Sequence, residues 1–410
     1  MKTQSTSRVA EFQGVYGPYH VSELLLQKIW SEQMFRVAEA RTLDGRVLRI
    51  DSPGRWNRLA GPDFRDARLS LDNQEVHGDV EIHFYARDWQ YHGHDKNSAY
   101  DRVVLHVLLF PPAGDEPPLI NRFGEPAAVL VLLPLLWYDL EEYAFDEEAS
   151  QAAGAFPADS LLQSLRSLEP SEQRTLLVEK ARQRWLRKTA FATRRIEQLG
   201  WAKASHLSVL EILGYRLNRA PMLRLGEQFP LADWTAGRVS PEMVYQAGRN
   251  LWTESGVRPA NHPRRRLAQY GEWVRTRPDW PERLRAAAPE SARLLSQAGG
   301  SFPGDTVRSC RRALGYAQWR SALLQTLGAS TLSGTRLATL IGDGFLPLMQ
   351  AACPEEDLFP LWMVGHPGDV PDHLRRVLRG LEWIGPSGEA ACHGWFQGLY
   401  SLALEQDLLV

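Results

Sequence analysis

Residues Gly61–His106 read GPDFRDARLSLDNQEVHGDVEIHFYARDWQYHGHDKNSAYDRVVLH. Two segments here alternate apolar and polar residues, Ala67–Leu71 and Val76–Phe84, with Asp72-Asn73-Gln74 between them. Alternation with period two marks half-buried strands, and a short Asx-rich break marks a hairpin. With the turn centred on Asn73 and Gln74, cross-strand partners sum to about 147 by simple antiparallel pairing. That register sets Asp63 near His83, and Arg65 or Asp66 near Glu81. Side chains of a strand alternate between faces, so Asp79, Glu81 and His83 share one and Val80, Ile82 and Phe84 the other. The apolar face is expected to pack inward, leaving two carboxylates and an imidazole beside Asp63.

The neighbouring segments extend this picture. Val21–Phe35 has the spacing of one amphipathic helix with Ser22 as N-cap. Arg41–Ile50 reads as a hairpin about Asp44-Gly45. Val103–Phe110 and Ala127–Leu133 are short apolar runs of buried-strand type, separated by a proline-rich loop at Pro111–Pro118. A short helix is expected near Asn97–Arg102. The fold class is therefore α+β, a mixed sheet over residues 1–150. The small, acidic stretch 144–160 reads as a linker. Residues 160–410 form an all-α region, with helices expected at Glu172–Gln198, His206–Arg216, Pro241–Thr253, Pro263–Arg275, Thr306–Leu327 and Asp372–Trp383. Trp185, Trp201, Trp234, Trp252 and Trp273 are expected to fill its core.

At 410 residues the chain exceeds one ordinary domain, and 44% hydrophobic content is that of a globular protein. Its net charge of −2 hides a division. Up to residue 155 there are 15 Lys and Arg against 24 Asp and Glu; beyond it there are 32 against 25. Three scattered cysteines argue against a disulfide framework. No apolar run reaches membrane-spanning length, and a soluble, cytoplasmic protein with no membrane partner is expected. The basic half keeps a nucleic-acid partner in view. The triplet Arg264-Arg265-Arg266 at a helix start opposes the helix dipole and is a candidate phosphate contact.

Hard divalent ions take carboxylates, waters and substrate phosphate, and a nearby imidazole can orient or deprotonate the attacking water. The arrangement resembles the PD-(D/E)-x-K site of the restriction-endonuclease-like superfamily. Pro62-Asp63 matches its first element and Glu81-Ile82-His83 its second, with histidine where the superfamily has lysine. The resemblance implies a nuclease-like phosphodiesterase acting on nucleic acid. Asp63, Glu81 and His83 would be catalytic, and Asp63, Glu81, Asp79 and Glu23 would hold Mg²⁺ or Mn²⁺. Arg55, Arg58, His92, His94 and Lys96 are the candidate substrate contacts. Two other readings stand beside this one. A Zn²⁺-dependent hydrolase would use His83, His92 and His94. A non-enzymatic binding or scaffold protein would use the same face structurally.

The chain also resembles a bacterial family, domain-of-unknown-function family 2851. SELLLQKIW (22–30), GPDF (61–64), GDVEIH (78–83), DWQYHGHD (88–95), AYDRVVLHV (99–107), EILGYRLNRAP (211–221) and RPANHPRRRLAQ (258–269) carry the likeness. It implies a full-length bacterial protein of that family and no particular activity.

Overall fold

The computed structural model describes residues 9–14, 17–57, 59–112, 119–137, 140, 143, 158–255, 257–297, 307–329, 331–368, 370, 372–384 and 391–407. The chain divides into two compact units, Met1–Glu147 and Glu148–Val410. Most of the segment read as a linker, 144–157, lies outside the described residues.

The first unit is a mixed sheet with short helices, as the α+β pattern requires. It opens with an antiparallel pair that the hydropathy pattern does not reveal, β1 (Val9–Gly14) and β2 (Gly17–Ser22). Helix α1 (Glu23–Ser31) follows, and the Ser22 side chain accepts from the Leu25 amide as the expected N-cap. Its buried face is Leu25, Leu26, Ile29 and Trp30. The main sheet runs β3 (Leu48–Ser52), β5 (Phe64–Leu71), β6 (Gln74–His83), β7 (Val103–Leu108), β8 (Ala128–Val131), with the short β4 (Arg55–Trp56) also on β5. Pairs β3–β5 and β5–β6 are antiparallel; β6–β7 and β7–β8 are parallel. The turn at Asp44-Gly45 forms, but only one bridge, Arg41 to Val47, closes it. The short helix expected near Asn97–Arg102 is a single 3-10 turn at Ser98–Tyr100.

The β5–β6 register differs from the expected one. The turn is Asp72-Asn73, both with positive φ (47° and 68°), so Leu71 pairs with Gln74. Such two-residue turns match strand twist, and Asp and Asn tolerate the left-handed region. Partners thus sum to 145 near the turn, as in Ala67 with Gly78, and to 144 at Phe64 with Val80. The one-residue change is a bulge at Arg65-Asp66, with Asp66 at φ 57°. Beyond it, Asp63 meets Glu81 rather than His83.

Parallel strands need a long crossover. The one from β6 to β7 carries α2 (Asp88–Tyr91) and two 3-10 turns. At Gly78, the two parallel strands approach so closely that a β-carbon would lie 2.5 Å from the Arg102 carbonyl oxygen. Glycine is required there for lack of room, not for its φ.

The second unit is helical throughout its described residues. The helix Pro170–Leu199 is close to its expected span, as is Pro263–Thr276. The helix at His206 is longer, Trp201–Gln228, with non-helical dihedrals at Tyr215 and Asn218. The one at Pro241 is shorter and stops at Ala247. Thr306–Leu327 divides into Val307–Ala313 and Tyr316–Leu327 because Gly315 takes φ 57°. Asp372–Gly380 ends just before Trp383. Trp185, Trp234 and Trp273 are buried in one large core, with Trp201 and Trp252 packed against it. The arginine triplet is not one cationic surface. Arg264 pairs with Glu242, while Arg266 is buried on Asn261 and Gln269. No helix of the described residues is long and apolar enough to cross a membrane.

Candidate metal centre

Strands β5 and β6, helix α1 and the β6–β7 crossover bring one polar cluster together. The Asp63 backbone amide donates to Glu81 Oε2 at 2.9 Å, and the Ile82 amide donates to Asp63 Oδ2 at 3.0 Å. Each carboxylate is thus clamped by the other's strand. Gln27 Nε2 donates to Asp63 Oδ1 at 2.7 Å, while Gln27 Oε1 accepts from the Trp56 indole at 3.0 Å. Sequence reasoning missed Gln27. The available signal was its place one turn after Glu23, on the same side of α1.

No Lys or Arg among the described residues bonds to Asp63 or Glu81. Burial raises the Asp63 carboxyl well above its usual range, and Glu81 and Glu23 add to the rise. Burial, with Glu23 adding, pushes Glu81 up to about 8 against the pull of the Asp63 amide. Glu23, Asp63 and Glu81 therefore repel one another in a place with little water.

Three histidines meet these acids. His83 follows Glu81 on the same face of β6. His92 caps α2, Gly93 turns back at φ 72°, and His94 opens the next 3-10 turn. That left-handed glycine is the tight loop that an i, i+2 pair needs to converge. One ring nitrogen each of His83, His92 and His94 lies within 4.8 Å of the others. His92 Nδ1 is 3.2 Å from His83 Nε2. Glu81 Oε1 lies 3.5 Å from His83 Nε2 and 3.3 Å from His94 Nε2. Behind them, His83 Nδ1 and His106 Nε2 share a hydrogen bond at 2.7 Å. Burial holds His94 down to about 4 and His106 down to about 3, so both rings are neutral near pH 7. Tyr100 stacks on His94 at 3.8 Å, and Trp89 packs against His94 and His106. Neither ring nitrogen of the buried His94 has a hydrogen-bond partner among the described residues.

Several expected roles change. The second face of β6 is not open: Asp79, Glu81 and His83 are all buried, because the crossover covers them. Asp79 does not join the cluster. Its Oδ1 accepts from the Asp66 amide at 3.0 Å and braces the β5 bulge. Arg55 is exposed and paired with Asp66, which also takes Arg102. Lys96 is exposed and makes no contact with the acids among the described residues. Arg58 lies outside the described residues. His92 is the exposed member of the histidine trio. His106, expected as a satisfied core histidine, is fully buried and supports His83.

The first unit thus defines a class: a mixed-sheet domain with clustered imidazoles and acids beneath its crossover. The family model described as "Protein of unknown function (DUF2851)" matches residues 23–247, more than half of the chain. The chain belongs to this family. No curated protein and no solved structure matches it.

Proposed function

We propose that the protein is a metal-dependent hydrolase, with a first-row transition ion of the zinc type held by His83, His92, His94 and Glu81. The observation that carries this reading is the spacing of the donor atoms. Zinc–nitrogen and zinc–carboxylate bonds of about 2.0–2.2 Å place tetrahedral ligands about 3.3–3.6 Å apart. The printed separations of 3.2, 3.3 and 3.5 Å fall at that spacing. Nitrogen-rich donor sets suit zinc and its neighbours, whereas Mg²⁺ takes oxygen. His106 would fix the His83 tautomer from behind, as outer partners of ligating histidines do. The orphaned nitrogens of His94 and the uncompensated acids also support a cation here.

A bound ion of this kind activates water near neutral pH. The exposed His92 marks the side from which water and substrate would reach it. Phosphodiesters, nucleic acid among them, are the proposed substrate class. The support is the order of helix, antiparallel strands, crossover and parallel strand, with Asp63 and Glu81 on adjacent strands. Asp63 would keep Glu81 in place through its amide. The two carboxylates are poor sole ligands for Mg²⁺ or Mn²⁺, since three of their four oxygens already accept from amides.

Metal content of the purified protein, with hydrolysis of bis(p-nitrophenyl) phosphate and of single- and double-stranded DNA and RNA, tests the proposal. One zinc-type ion per chain and turnover are expected in the wild type, and both lost in His94→Ala. A folded wild type that neither contains nor takes up zinc or cobalt would sink the metal centre. Metal without turnover on any of these esters would sink the phosphodiesterase and leave a structural centre.

A further inference from the structure

The second unit contains a cavity of 540 Å³ lined by Arg311, Arg320, Thr335, His366 and Pro367, among others. We propose that it binds a small phosphorylated organic molecule, with the phosphate between Arg311 and Arg320. The site lies beyond residues 23–247 and is independent of the metal centre.

Its charge is unbalanced. No Asp or Glu lines the cavity. Arg311 is fixed by three backbone carbonyls: Nε donates to Val364 at 2.7 Å, and Nη2 to Gly365 at 3.0 Å and Ala391 at 2.9 Å. These bonds orient the guanidinium without neutralising it, and Nη1 makes none among the described residues. Arg320 has neither an ion pair nor a hydrogen bond among them, and its Nε is buried without a partner. The nearby Cys392 thiol, pushed up to about 12 mainly by burial, supplies no negative charge. His366 reports the resulting field. Burial holds its imidazole down to about 4, and Arg311 and Arg320 lower it further.

Two guanidiniums from successive helices, Val307–Ala313 and Tyr316–Leu327, present planar donor forks. Such forks match phosphate oxygens. The Thr335 hydroxyl adds a donor of adjustable direction. The volume exceeds what an inorganic anion fills and lies within the range of small-ligand sites. Ala338, Pro367 and Ala391 supply apolar wall for the organic part. Arg311 is preorganised by its carbonyls, so binding need order only Arg320.

Calorimetry on the full chain at low ionic strength, with inorganic phosphate, adenosine monophosphate, adenosine and acetate as probes, tests this. Saturable binding of phosphate and of adenosine monophosphate is expected. Adenosine and acetate should bind about tenfold more weakly or worse, the size of a lost charge-assisted hydrogen bond. Arg320→Gln should weaken adenosine monophosphate by about tenfold, and Arg320→Lys by less, since lysine keeps the charge and loses the fork. Because Arg320 is partly buried, His366→Glu at an exposed position is the second variant. Its carboxylate should occupy the guanidiniums and abolish binding. The proposal fails if the folded wild type binds neither phosphate nor adenosine monophosphate, or if the glutamate variant binds as the wild type does. Phosphate binding with adenosine monophosphate excluded overturns the organic ligand.

Discussion

Glu81 in the sheet unit and Glu211 in the helical unit are both buried glutamates, with 5% and 4% exposure. Their surroundings drive them in opposite directions. Glu211 accepts from Arg195 Nη1 at 2.9 Å and from Arg219, and Arg195 also donates to Ser208. Burial alone would raise Glu211, yet the two arginines bring it down to about 2. Glu81 has acids and neutral imidazoles around it and is pushed up to about 8. Burial does not decide the role of a carboxylate; the charge brought in with it does. The helical unit balances its buried charge internally. The sheet unit leaves that balance to something the chain does not encode, as a binding site does.

Removing the matched charge should have the largest effect. Glu211→Gln leaves two guanidiniums facing a neutral amide and should cost about 3 kcal/mol, read from the urea midpoint, since breaking a buried pair strands the other partner. The contrast is lost if the midpoint does not move. Its folded pKa is depressed, so this stability is present above about pH 4.5 and is lost as pH falls through about 2.

Gly78→Ala attacks the opposite unit through its backbone. The new methyl would meet the Val104 side chain at 2.4 Å and the Arg102 carbonyl at 2.5 Å. A loss of about 1–3 kcal/mol is expected from overpacking, together with loss of metal, because the crossover to β7 carries His92 and His94. Full metal content in this variant would show that the centre tolerates a shifted β7.

Glu81→Gln should act with the other sign in chelator-treated protein. A raised carboxyl contributes stability that is present below about pH 4.5 and lost as pH rises through about 8. At pH 9 the metal-free variant should therefore unfold at a higher temperature than the metal-free wild type, by on the order of 1 kcal/mol or more. With zinc present the order should reverse. A metal-free variant less stable than wild type at pH 9 would mean that the charge on Glu81 is already compensated. The smallest effect is expected at the exposed Arg264–Glu242 pair, where Arg264→Ala should change stability by less than about 0.5 kcal/mol.

Much of this was readable from residue order. Alternation across Ala67–Leu71 and Val76–Phe84 located both strands and placed Glu81 with His83. Ser22 was readable as an N-cap because its chemistry is local. Register was not, because it depends on which two residues take positive φ and on a bulge with no hydropathy mark. The burial of the acidic face was equally hidden. Asp79, Glu81 and His83 look like a solvated face in strand periodicity, and only the crossover folded over them changes that. The His92–His94 pair was visible as two ligand types two residues apart. Its convergence on His83 required the tertiary path of the chain.

The bulge at Arg65-Asp66 is, in effect, a half-period phase shift in the pleat. Without the extra residue the sum of 145 would continue to the strand end, setting Asp63 opposite Ile82 and Phe64 opposite Glu81. The carboxylate would then point into apolar packing and the phenyl ring into the acidic cluster. Loss of one residue between Phe64 and Ala67 would thus invert the polarity of this strand end while leaving composition almost unchanged. Loops elsewhere can absorb such a change; this short segment of β5 counts residues.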